Sequence, residues 1–132
     1  MMTFIEVDGN NNHHLRLLYT LLSERRPDES ISHQYMPTWS QHVLFVQSKP
    51  YKTWRLLFYH DACVGAGYVT QRDEIGVGVF NLYKRRGYGR IIVREMQMCG
   101  GRLANINPSN AASIALFESL GFKHIQNIYS HD

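Results

Sequence analysis

The sequence predicts a single α/β domain spanning residues 1–132, with a mixed, largely antiparallel sheet flanked by helices. Three observations predict it. Apolar residues recur at three- and four-residue spacing in some segments and form short β-leaning runs in others. Between Thr53 and Phe80 three such runs follow one another with connections too short for anything but hairpins. From Glu74 to Asn107 a strand, a basic glycine loop, a helix and a second strand follow in order, and a helical crossover makes those two strands parallel.

Taken in order, Thr3–Val7 reads as a first strand closed by the turn Asp8-Gly9-Asn10. Asn11 or Asn12 can cap a helix to about Arg25, with Leu15, Leu18, Tyr19 and Leu22 facing inward. His13 and His14, in its first turn, read as exposed polar residues. Arg26–Pro37 has no regular period. Thr38 caps a second helix in which Trp39, His42, Val43 and Val46 lie three or four apart, and Lys49-Pro50 ends it. The strands Thr53–Tyr59, Cys63–Thr70 and Glu74–Phe80 come next. A helix over 88–98 stops at Gly100-Gly101, and Leu103–Asn107 is the parallel strand. Pro108-Ser109-Asn110 opens a helix to Leu120 with Ile114, Phe117 and Leu120 inward, and Phe122–Tyr129 is a last strand. The predicted order is β-α-α-β-β-β-α-β-α-β.

Composition narrows the function. Hydrophobic residues at 44% and charged ones at 19% suit a globular protein rather than a disordered one. A net charge of +3 fits a small anionic ligand as well as nucleic acid, but the positive charge gathers at 84–90 instead of coating a face. Cys63 and Cys99 have no metal or redox spacing and read as buried, reduced thiols. The first residues lack the apolar run of a signal peptide, and no stretch approaches membrane-spanning length. The expectation is a cytoplasmic protein without a metal.

The chemistry centres on Lys84-Arg85-Arg86-Gly87-Tyr88-Gly89-Arg90, between the strand 74–80 and the helix 88–98. A helix start leaves N–H groups unpaired, with the positive end of the dipole behind them. Gly87 and Gly89 let an anion approach the main chain, and four cationic side chains surround the point. No Gly-Lys-Ser/Thr follows at Walker spacing, and the third glycine of the dinucleotide fingerprint is missing.

The strand-loop-helix Glu74–Met96 and the segment Asn110-x-x-Ser113-x-x-Leu116-Phe117-x-x-x-Gly121-Phe122 together resemble the GCN5-related N-acetyltransferase family. The first resembles its acetyl-CoA loop, Arg/Gln-x-x-Gly-x-Gly/Ala, with Lys84 at the leading position. The second is similar to its Asn-x-x-Ala-x-x-Leu-Tyr-x-x-x-Gly-Phe signature. The resemblance covers about residues 54–122, and the N-terminal third by element order only. It implies the acyl-CoA N-acyltransferase fold with splayed central strands, and acetyl transfer from acetyl-CoA to a primary amine by direct attack in a ternary complex. It further implies that the pyrophosphate meets the amides of Arg86–Arg90, and that Asn110 and Phe117 line the cofactor site. The peptide-like pantetheine arm can pair with a strand edge, which requires free amides near Val77 and Val79. Gly76 and Gly78 read either as making room for that arm or as a bulge.

An alkylamine with a pKa near ~10.4 must lose a proton before attack, at a cost of about 4 to 5 kcal/mol at neutral pH. Glu74 resembles the glutamate some family members use as base, and its alternative role is a turn carboxylate. Where many members carry the tyrosine that protonates the leaving thiolate, this chain has Phe117, which cannot donate. Ser113, Tyr88, another tyrosine or water would have to serve.

The acceptor pocket is expected around residues 32–42, with His33, Tyr35 and His42 as substrate-binding residues; Trp39 and Trp54 read as core anchors. Its mix of rings and polar groups suits a sugar-like or polar small molecule, and His42 to Trp54 resembles acetyltransferases of amino-sugar and surface-polysaccharide pathways. Two other readings stand beside the enzyme: a catalytically silent acyl-CoA-binding module and, from the basic loop alone, a nucleic-acid-binding protein. The expected partner is a small-molecule amine, with neither nucleic acid nor membrane. A family member commonly ends in two strands, whereas one is expected here. Either that strand takes the inner place or a second chain completes the edge, and the frequency of two-fold dimers favours a homodimer.

Overall fold

Strand register builds the sheet from the two hairpins outward. In this computed structural model, which describes residues 1–25 and 35–131, β2 (Thr53–Tyr59), β3 (Ala62–Val69) and β4 (Ile75–Val79) pair in antiparallel succession. His60 and Asp73, both with positive φ, turn the chain at the two hairpins. β1 (Met2–Glu6) adds to the outer side of β2, giving the order β1-β2-β3-β4. A bulge falls between Leu57 and Phe58.

Alternation along the strands sends side chains to two cores. On one face Leu56, Cys63 and Ala66 meet α1 (Asn12–Ser23) and α2 (Trp39–Gln47) through Leu15, Leu18, Leu21 and Val46. On the other, Leu57, Val64, Val69 and Ile75 meet Ile92, Val93 and Met96 of α3 (Tyr88–Met98) and Phe117 of α4 (Ala111–Ser119). The helix ends follow the sequence signals. Asn11 Oδ1 accepts the N–H of His14 at 3.1 Å, and Thr38 and Gln41 form a reciprocal capping box. Asn110 caps α4, while Gly100 and Gly121, with φ of 96° and 90°, close α3 and α4.

Four expectations fail. Leu21, not Leu22, is the buried leucine near the end of α1. His14 is buried, and its Nδ1 accepts the N–H of Asp8 at 3.0 Å, so it closes the β1–α1 turn. Leu103–Asn107 is not a strand: only Leu103 pairs, in a parallel bridge with Glu74. Beyond it the side chain of Asn105 bonds the Glu74 carboxylate. Phe122–Tyr129 forms no strand either, and Ile125 and Ile128 are exposed. Phe122, Ile125 and Ile128 recur every third residue, which no strand's period of two can bring to one face. The element order is therefore β-α-α-β-β-β-α-α, with a short 3₁₀ turn at Asn81–Tyr83 before α3. The thiols also differ from each other: Cys63 is buried and Cys99 is half-buried, both free.

Two histidines couple this packing to pH. Burial lowers the pKa of His14 and of His42, whose Nε2 lies 2.9 Å from the carbonyl of Leu15. Below the unfolded value of about 6.5 the unfolded chain binds protons that the folded chain resists, so stability falls as pH drops through and below it. Thermal melts should give a constant Tm from pH 8 to about 7 and a decline towards pH 5.5, with His42→Gln flattening the decline.

Candidate functional site

The two central segments touch at one end and then part. Ile75 N–H donates to Leu103 C=O at 2.7 Å, and Leu103 N–H to Asp73 C=O at 3.0 Å. Thr70 N–H bonds Glu74 C=O and Phe80 N–H bonds Val64 C=O, so the even-numbered positions of β4 point at β3. The main-chain groups of Ile75, Val77 and Val79 therefore point the other way. At Ile75 they meet Leu103; at Val77 and Val79 they face a cleft of about 640 Å³. Asn105, Ile106, Leu116 and Phe117 form its opposite wall.

The basic loop closes one end of that cleft. Arg85 has φ of 67° and Gly87 of 87°, two left-handed residues on either side of Arg86. Such a backbone gathers successive N–H groups on one side. The first intrahelical bond is Ile91 N–H to Gly87 C=O at 3.3 Å, so the N–H groups of Tyr88, Gly89 and Arg90 precede the helical ladder. Gly89 serves by closeness: a Cβ there would lie 3.3 Å from Cδ2 of Leu116 and 3.9 Å from Cγ2 of Val79.

Most of the expected cofactor residues come together. Val77, Val79, Lys84, Arg85, Gly87, Tyr88, Gly89, Arg90, Asn110 and Phe117 all line the cleft, and Glu74 stands at its other end. Arg86 does not: its guanidinium lies over the ring of Tyr83, 5.7 Å from the centroid. Arg90 Nη1 donates to Ser119 Oγ at 2.9 Å, tying the loop to α4. Asn110 Oδ1 accepts the N–H of Ser113 at 3.1 Å. Glu74 accepts from Thr70 Oγ1 at 3.1 Å and from the Asn105 amide, which together fix its carboxylate. Phe117 is buried edge-on against Phe122, with centroids 5.1 Å apart.

A second pocket of about 410 Å³ lies on the α1–α2 side of the sheet. His42 and Tyr35 line it as expected; His33 lies outside the described residues. His42 is buried, with the rings of Tyr19 and Trp39 tilted against it, and its Nε2 is engaged by the Leu15 carbonyl. Trp39 is itself 38% exposed, so it braces α2 against Tyr19 rather than anchoring the core. Trp54 is half-buried and forms a pocket wall with Phe45 and Tyr51.

Leu21, Arg25, Tyr68 and Gly78 line both spaces, so the two meet across the α1 face of β4. Gly76 and Gly78 make this junction. The Tyr68 ring fills the place where a Cβ of Gly76 would stand, and Leu21 packs 3.3 Å from that of Gly78. Tyr68 in turn stacks on Tyr51, with ring centroids 3.9 Å apart. Burial and the Tyr68 hydroxyl push the pKa of Tyr51 well up, so it stays a neutral phenol. Burial likewise pushes Cys63 up to about 11, which keeps it from acting as a thiolate. Sequence reading missed Arg25, Tyr51, Tyr68 and Asn105. The Gly-x-Gly of β4 was the one available signal, since a glycine pair marks a close approach whatever approaches it.

No protein-family profile and no curated protein matches the sequence. Solved structures do match. An aminoglycoside N-acetyltransferase in complex with CoA superimposes with a TM-score of 0.75 at 15% identity, over 100% of this chain and 94% of that one. An acetyltransferase of the GNAT family from Streptococcus pneumoniae gives 0.66 at 16% identity, over 92% and 83%. The chain has the fold of the GCN5-related N-acetyltransferases. The ribosomal-protein-S18-alanine N-acetyltransferase from Escherichia coli shares this GNAT fold with a TM-score of 0.67 at 22% identity, over 96% of this chain and 80% of that one. The cleft beside β4 thus belongs to a GNAT architecture, although identities this low establish the fold alone.

The loop geometry gives a test of the anion cradle. Forcing a branched side chain to φ near 87° at Gly87 costs about 1–2 kcal/mol. Gly87→Val should therefore lower the Tm by several degrees and, by pulling the loop out of its left-handed turn, weaken coenzyme A binding about tenfold or more. Gly89→Val should lower the Tm as well, because it wedges α3 from Leu116. Arg85→Gln should weaken binding only a few-fold and less so in high salt. Calorimetry showing unchanged affinity for Gly87→Val refutes the cradle.

Proposed function

We propose that the protein transfers the acetyl group of acetyl-CoA to a primary amine of a small molecule by direct attack in a ternary complex. The observation that carries this reading is the splayed cleft, in which the Val77 and Val79 main chain faces open space that ends at the α3 N-terminus. A pyrophosphate fits the loop amides, and a peptide-like arm fits the strand edge as an added strand would. The acetyl thioester supplies an activated acyl group; the chain's own residues position it and handle protons. Acetyl-CoA is bound in one of the structural neighbours, a putative acetyltransferase from Salmonella typhimurium, and CoA in the aminoglycoside enzyme.

Glu74 is the proposed base, held in place by Thr70 and Asn105 at the end of the cleft opposite the loop. It would take the amine's proton directly or through a water. The pocket walled by Phe45, Tyr51 and Trp54 is the proposed acceptor site, with Tyr35 and His42 among its lining and an amino sugar among the candidates. The metal-free, cytoplasmic reading is retained as part of this proposal, and exposed Ile125 and Ile128 support the homodimer. The second reading, a silent acyl-CoA-binding module, is favoured by Phe117, which puts no hydroxyl in the cleft.

Release of coenzyme A thiol from acetyl-CoA with a panel of amines decides between them, because a binding module gives calorimetric binding without turnover. Glu74→Gln should lower the rate about 10²-fold at neutral pH, leave acetyl-CoA affinity nearly unchanged, and remove the lower limb of the pH–rate profile. Phe117→Tyr adds one hydroxyl facing the cleft. If thiolate protonation is the slow step, this variant turns over faster than the parent; an equal or lower rate in the same assay means another donor already serves.

A further inference from the structure

We infer that the acceptor is a monoamine whose carrier presents a flat apolar face and an anionic group, with the anion seated on Arg25. This deepens the acetyl-transfer reading and rests on it. The second pocket has aromatic walls. Tyr51 meets Trp54 edge-on with centroids 4.7 Å apart, and Phe45 packs against both. Rings braced in this way offer rigid faces to a planar ring or to the apolar face of a sugar.

Charge makes the choice sharper. Among the described lining residues Arg25 is the one charged group. His42 does not add a second charge at neutral pH, since burial lowers its pKa. A polycation entering this pocket would meet a guanidinium and no carboxylate among those residues. Arg25 is also placed where the two partners must meet: it lines both the cleft and the pocket, and its Nη2 donates to the Val77 carbonyl at 3.4 Å. No described carboxylate forms an ion pair with it. A guanidinium has five N–H donors in a planar fork, so donors remain for a carboxylate or phosphate beside the reacting amine.

The carboxylate and phosphate cases share this chemistry and separate in the test. Affinities are measured by calorimetry on the full chain in the presence of coenzyme A, for tryptophan against tryptamine and glucosamine 6-phosphate against glucosamine, with spermidine as the polycation. Each pair differs by the anionic group alone. The anionic member of at least one pair should bind about tenfold tighter or more, the worth of a charge-assisted contact. Arg25→Gln should bring that ratio close to one and Arg25→Lys should restore part of it, with melts confirming that both variants fold. Equal binding within both pairs, a preference for spermidine, or a ratio that survives Arg25→Gln overturns the inference. Thiol release with the same compounds separates the two readings. Selective binding without turnover keeps the anion seat on Arg25 and sinks acetyl transfer, whereas turnover confined to neutral or cationic amines keeps acetyl transfer and overturns the inference.

Discussion

One short parallel contact governs the molecule. At Glu74 and Leu103 the chain closes a bridge, and one residue later the two segments diverge. Were the ladder to continue, the main-chain groups of Val77 and Val79 would be consumed inside a sheet. Because it stops, they border a cleft, and the helix that follows β4 brings its N-terminus to the far end of it. The side chains of Thr70 and Asn105 hold Glu74 at the near end. Main-chain groups left unpaired by the sheet thus border the cleft, where the Val77 carbonyl accepts from Arg25 instead.

Packing on the opposite face serves the same opening. Glycines at 76 and 78 let Tyr68 and Leu21 lie directly on β4. That brings α1 and the residues after it, including Arg25, to the strand that borders the cleft, where Arg25 bonds the Val77 carbonyl. The aromatic pocket and the cleft meet there, through Leu21, Arg25, Tyr68 and Gly78. The face of the sheet packed on α3 and α4 contributes rigidity, with Ile92, Val93 and Met96 fully buried.

Helix and hairpin elements were legible in the sequence because their causes are local. Thr53–Tyr59 was read with its observed ends, and the Asn11, Thr38 and Asn110 caps each need only a side chain and an N–H three residues on. The basic loop was legible for the same reason: a glycine before an amphipathic helix, with basic neighbours, needs no distant partner to be recognised. The residues expected around it line one cleft, apart from Arg86, whose guanidinium lies over Tyr83.

What failed depends on partners far apart in the chain. Whether 103–107 and 122–129 become strands depends on an available edge, and β-propensity carries no information about that. His14 is buried because the β1–α1 turn folds back to place the Asp8 N–H on its ring. Arg25 joins the site because a helix end, a tyrosine 43 residues later and a glycine beyond that converge. The sequence by itself determined the local elements, the two hairpins and the basic glycine loop before α3. Only the tertiary structure decided where the sheet splits and which side chains line the second pocket, because both arise from long-range packing that no local period encodes.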